Sequence, residues 1–226
     1  MNSVFLYSIL QSLVWAENGY PNPTWKDLST PTGWVASHKV ETSVGTVEVS
    51  KKMVDNFPCF KGKTTANADP LLLQKIASDA NSAMQWSSAG VIEAKELYKS
   101  AQYVDYYQYL DVPVFSDRYW FLRGYFESYG NVVLFRWEKL PPSAHTEYYE
   151  KIRARYPDAE ETPINIGSWI FTRNPDTPNI TVEYLICTHP GGSIPDMLQS
   201  IATEKTLPTN IEDILKEEKR LSAIPK

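Results

Sequence analysis

Residues 118–140 read RYWFLRGYFESYGNVVLFRWEKL. Trp120, Leu122, Gly124 and Phe126 share one parity, and all four are apolar. Phe121, Arg123, Tyr125 and Glu127 share the other, which is mixed. Successive side chains of a strand point to opposite faces, so this alternation describes a strand with one face inside and one face partly wet. Tyr129-Gly130-Asn131 is a tight turn signal. Beyond it Val133, Phe135 and Trp137 alternate against Leu134, Arg136 and Glu138. The stretch is an antiparallel hairpin, and its surroundings extend it.

Residues 91–100 and 103–112 carry the same pattern, which makes four strands with short turns, a meander. Downstream, strands are expected over 164–173 and 179–188, joined by the turn-rich NPDTP of 174–178. Nearer the start, 34–41, 46–51 and 57–68 are rich in β-branched and aromatic residues, with breaks expected at Gly45 and Pro58. Two regions have helical spacing. Asp69-Pro70 reads as an N-cap and first helical position, followed by Leu72, Leu73, Ile76, Ala80, Ala83 and Met84 as far as Trp86. The second helix starts with Ser193 as N-cap and carries Ile194, Met197, Leu198 and Ile201. Pro208 is expected to break or kink it, with Ile211, Ile214, Leu215 and Leu221 continuing the stripe. Residues 145–156, rich in Tyr and charge, are expected to form a surface helix or irregular insertion after Pro141-Pro142.

Strands, a helix, a long antiparallel run and a terminal helix make an α+β chain. An antiparallel sheet has one face to cover, and a long amphipathic terminal helix is its natural cover. Where a curved sheet grips a helix the two surfaces do not meet everywhere, and the gap is an internal cavity.

Twenty-two Lys and Arg against 27 Asp and Glu give a net charge of −5. With no basic patch, nucleic acid is excluded as a partner. The cluster at 216–220 is interleaved with Glu217 and Glu218 and reads as a solvated helix face. His38, His145 and His189 are scattered without metal-ligand spacing, and no G-x-S-x-G elbow is present. Gly191-Gly192 lacks the Lys-Ser/Thr of a phosphate loop and reads as a turn that sets the angle of the last helix. An acid–base enzyme would have to use Glu96, Glu183 or Asp105, and no pairing singles them out.

Cys59 and Cys187 pair if the protein is exported, or sit as two buried thiols if it is not. The apolar run VFLYSILQSLVW at 4–15 is too short to span a membrane. It has the character of a secretory h-region without a preceding Lys or Arg, or of an amphipathic first helix. Residues 1–16 therefore stand apart from a domain over 17–226. The compartment stays open, with export (periplasmic or secreted) ahead of the cytoplasm.

Two segments carry a family resemblance. VPVFSDRY at 112–119, opening a strand, resembles the first signature of START lipid-transfer domains. THPGGSIP at 188–195, opening the last helix, resembles their D-P-G-G-x-I-P signature, with 197–201 as the start of the gripping helix. Tyr119 and His189 stand where the family has Asp. Arg123 is the nearest match to the family's cavity arginine, although its parity puts it on the mixed face. The resemblance spans residues 34–220. It implies a helix-grip fold of the START/Bet v 1 type, one sterol, phospholipid, carotenoid or similar lipid in a closed pocket, transient membrane contact, and neither metal nor redox cofactor. On that fold the ligand-facing residues are expected to be Tyr106, Trp120, Leu122, Phe126, Phe135, Trp137, Trp169 and Tyr184, with Met197 and Ile201 from the helix. Asp117, Arg118 and Arg123 are the expected polar anchors near the mouth. The other readings are a cyclase or aromatase on the same fold, and an interaction module with a filled core.

Overall fold

The computed structural model describes residues 20–192 and 196–224, with side chains of the last helix from Thr203 onward. The expected N-terminal segment 1–16, the Ser193 cap and Ile194 lie outside the described residues. After a short helix α1 (Trp25–Ser29) come β1 (Val35–Thr42), β2 (Gly45–Val54) and β3 (Phe57–Ala66). Helices α2 (Pro70–Ser78) and α3 (Ala83–Trp86) lead into the meander β4 (Val91–Lys99), β5 (Tyr103–Leu110), β6 (Arg118–Tyr129) and β7 (Val132–Lys139). Helix α4 (Thr146–Arg155), a two-residue β8 (Glu160–Glu161), β9 (Ile164–Arg173), β10 (Ile180–His189) and the long α5 (Asp196–Ser222) complete the chain. The strands form one sheet in the order β1-β2-β3-β10-β9-β7-β6-β5-β4, antiparallel throughout, with β8 added to β6 in parallel.

Local chemistry explains where the elements differ from the expectation. The β2–β3 turn is Asp55-Asn56, both at positive φ (48° and 65°), the conformation that a two-residue hairpin demands and that Asp and Asn tolerate best. Pro58 breaks nothing: it lies inside β3 opposite Met53. The helix expected over 70–86 splits at Asp79, whose carboxylate accepts the Ser82 N–H (3.3 Å) and starts a new turn. Helix α5 runs on through Pro208. The missing N–H costs the helix one bond, but Leu207, Ile211, Ile214 and Leu215 on that stretch are all buried, and tertiary packing of this face outweighs the defect.

One face of the sheet carries Val49, Phe60, Leu122, Phe135, Trp169, Phe171 and Val182 against the buried side chains of α2 and α5. The other face is covered twice. Leu28 of α1 packs over Val54, Phe57, Ile164 and Leu185. The surface helix expected after Pro141-Pro142 is α4, and it places Tyr149 and Ile152 over Tyr107, Tyr109, Tyr119 and Phe121. Under α1, the register that pairs Ile186 with Phe60 also brings Cys187 opposite Cys59, and the two form a disulfide with Cα atoms 4.5 Å apart.

Gly62 seats the terminal helix. A Cβ there would stand 2.0 Å from Leu207 Cδ2 and 2.6 Å from Ile211 Cδ1. Gly62→Ala is expected to destabilise the protein by about 2 kcal/mol in urea titrations, because α5 must lift off β3 to admit one methyl group.

Candidate ligand cavity

A cavity of about 510 Å³ lies between the α5 face of the sheet and the α3 and α5 helices. Its floor is aromatic. Tyr106 and Leu122, Phe135 and Trp137, Trp120, Trp169 and Tyr184 are all in its lining. They come from five strands and share a space because period-two alternation turns each of them to the same face. Tyr184 stacks on Trp169 with centroids 4.2 Å apart and on Trp137 at 5.9 Å. The roof comes from Trp86 of α3 and from Thr203, Thr206, Leu207 and Asn210 of α5, and Val112 and Pro113 complete one side. Phe126 falls short of the cavity: it packs on Phe135 (5.7 Å) further along β6. The side chains of Met197 and Ile201 lie outside the described residues.

The polar groups of the lining are nearly all neutral. Trp137 Nε1 donates to Asn165 Oδ1 (2.9 Å), and Trp120 Nε1 donates to Gln108 Oε1 (3.0 Å). The Asn210 amide hydrogen-bonds the Tyr184 oxygen. Burial pushes the Tyr184 hydroxyl well above the usual tyrosine range. Burial does the same to Tyr106, helped by the nearby Tyr184. Both phenols therefore keep their protons at any physiological pH, and among the described residues neither donates its proton to a protein acceptor. Asn165, Gln108 and Asn210 were not singled out from sequence. Asn165 shares its parity with Trp169, and Asn210 lies one turn beyond Leu207 on α5, so the signal was present but too common among polar residues to stand out.

A larger groove, about 670 Å³, opens on the opposite face between residues 20–25 and strands β6, β7 and β9. Charged side chains line it, including Arg123, Glu138 and a Lys139–Glu161 ion pair at 2.6 Å. Its chemistry suits water better than an apolar molecule.

No protein-family model matches the chain, and no curated protein matches it. Solved structures do. A STAR-related lipid transfer protein from Xanthomonas axonopodis superposes with a TM-score of 0.68 at 21% identity, covering 83% of this chain and 99% of that one. The human StAR-related lipid transfer protein 5 superposes with a TM-score of 0.68 at 12% identity, covering 96% and 98%. The chain has the START fold. At these identities the likeness is one of fold.

Within the START fold the two signature segments meet at one side chain. Arg118 is 3% exposed. Its Nε donates to Pro190 O (2.6 Å), one terminal nitrogen to Gly191 O (3.2 Å), and the other to Ser116 O and Asp117 O. The guanidinium thus ties the loop at the cavity's side to the turn that launches α5. That turn needs both glycines, since Gly191 and Gly192 sit at φ 73° and 61°. His189 occupies the family's Asp position and does work an Asp can do: its Nδ1 accepts the Gly191 N–H at 2.9 Å. Asp117 accepts the Tyr109 hydroxyl (2.7 Å) and the Val112 N–H (3.2 Å), closing the same loop. Tyr119, where the family has Asp, is buried in the cluster beneath α4.

The expected polar anchors are therefore corrected. Asp117 and Arg118 hold backbone and are absent from the lining. Arg123 points to the opposite face, where it grips Asp105 through two bonds of 2.6 and 2.8 Å. Asp105, 2% exposed along its side chain, also meets His145 Nε2 at 2.8 Å. Glu183 lies 3.8 Å from Lys61, and Glu96 lies 3.4 Å from Lys99. None of these three carboxylates lines the cavity. His38 is at the surface beside Glu204 (3.2 Å).

Proposed function

We propose that the protein binds one hydrophobic molecule between the sheet and α5 and carries it to or from a membrane. The observation that carries this reading is the cavity itself, walled by aromatic side chains from five strands and roofed by the terminal helix. Its volume falls in the range of about 300–1,000 Å³ typical of small-molecule sites. Affinity comes from apolar burial at about 25 cal/mol per Å², less the cost of association. The fold neighbours named as lipid transfer proteins support the ligand class. A passive carrier is favoured over an enzyme because the cavity's carboxylates, Asp79 and Asp111, are set at its edge, and Asp79 is already engaged as a helix cap. A cavity also argues against an interaction module with a filled core. The fully buried Cys59–Cys187 disulfide supports function in an oxidising compartment, which agrees with the export reading of residues 1–16.

Loading requires the roof to open, and the Gly191-Gly192 turn is its natural hinge. Thr203→Trp, which fills the space under α5, is expected to weaken binding of a fluorescent sterol or acyl probe at least about tenfold while circular dichroism stays native. Unchanged binding by this variant would place the ligand elsewhere.

A further inference from the structure

The cavity lining carries no cation among the described residues. Among the described lining residues the charged ones are Asp79 and Asp111, and the others are apolar, hydroxyl or amide side chains. Arg118 is turned onto four backbone carbonyls. A carboxylate or phosphate taken from water into such a space would have neither a guanidinium fork nor an ammonium to meet it, and an unpaired buried charge is far costlier than a buried hydroxyl. The two aspartates add repulsion at the edge. A neutral oxygen, in contrast, finds neutral donors: the Tyr106 and Tyr184 hydroxyls, with Asn210 already satisfying the Tyr184 oxygen, and the Trp86 Nε1–H, which is buried with no acceptor among the described residues. The volume also suits a single skeleton.

We infer that the cavity selects an uncharged amphiphile whose polar group is a hydroxyl or carbonyl, and rejects the carboxylate or phosphate form of the same skeleton. The inference rests on the ligand-binding reading above and narrows it: neutral lipids of one skeleton remain, while phospholipids and ionised fatty acids drop out. The polar oxygen of the ligand sits at the Tyr106–Tyr184 pair, and its hydrocarbon lies along Trp120, Leu122 and Phe135.

Matched pairs of probes test it on the purified full chain at pH 8: retinol against retinoate, and monoolein against oleoyl lysophosphatidate. Displacement titrations are expected to show one-to-one binding of each neutral member, tighter than its anion by on the order of a hundredfold. Lowering the pH through retinoate's own carboxyl pKa is expected to recover its affinity, while retinol is unaffected. Thr206→Lys, which brings an ammonium to the roof, is expected to narrow the retinol–retinoate gap at least about tenfold. Equal affinity within each pair would overturn charge selection and leave the ligand-binding reading standing. No binding by any of the four would overturn both.

Discussion

Reduction of the Cys59–Cys187 disulfide is expected to lower the unfolding free energy by about 4 kcal/mol. The two cysteines are 128 residues apart in sequence, so the bond closes a loop that contains most of the sheet. A cross-link of that span removes much of the unfolded chain's freedom, and the penalty for losing it grows with the logarithm of the loop. The bond also sits at a strategic place. It joins β3 to β10, the pair through which the first three strands attach to the rest of the sheet. Both sulfurs are fully buried beneath α1, so reductant alone should act slowly on the folded protein and quickly once denaturant opens it. Urea titrations with and without reductant measure the difference, and Cys59→Ala with Cys187→Ala gives the same loss without reductant. Coincident curves would show that the native protein does not depend on the bond.

Arg118→Met is expected to cost about 3 kcal/mol and to loosen two loops at once. Methionine removes the donors that hold the Pro190, Gly191 and Ser116 carbonyls, leaves Asp117 O only the Glu160 N–H, and leaves Glu160 without the charge it faces. Each orphaned buried acceptor carries its own desolvation penalty. Amide hydrogen exchange should rise both in residues 112–117 and in residues 189–192, segments far apart in sequence that share this one side chain. Arg118→Lys should rescue little, because one ammonium cannot reproduce a planar fork aimed at carbonyls on two loops. Faster exchange in only one of the two loops would show that Arg118 does not couple them. Ligand exchange should accelerate in both variants, since the same loops border the cavity and the start of α5.

The meander was legible because period-two alternation is a direct print of strand geometry. The alternation in residues 118–140 showed which side chains face α5, and the parity of Arg123 already spoke against its expected role as a polar anchor, which the Asp105 contact corrects. The segments 112–119 and 188–195 were legible only through their resemblance to START signatures; the positive φ of Gly191 and Gly192 and the burial of Arg118 are what the structure adds. What sequence could not show was where Arg118 finds its partners. Residue type says that a guanidinium needs acceptors, but two of them are backbone carbonyls of a turn about seventy residues away, which no side-chain pattern advertises. The packed face of α4 was obscured for a different reason: only Tyr149 and Ile152 are buried on it, a stripe too narrow to outweigh its charge. Pro208 misled because a local rule, the lost hydrogen bond, gave way to burial of the residues around it. The Asp55-Asn56 turn was missed because neighbouring Pro58 is the louder breaker signal, although Asx residues at positive φ are the true hairpin chemistry.

A lipid between the sheet and α5 is the feature on which the proposed function depends. Native mass spectrometry of the purified protein, with a solvent extract of the same sample analysed for lipids, tests it most directly. One retained hydrophobic molecule per chain is expected, uncharged and bearing a hydroxyl or carbonyl, and lost from the Thr203→Trp variant. A bare chain mass that stays bare after incubation with a neutral-lipid panel would contradict it.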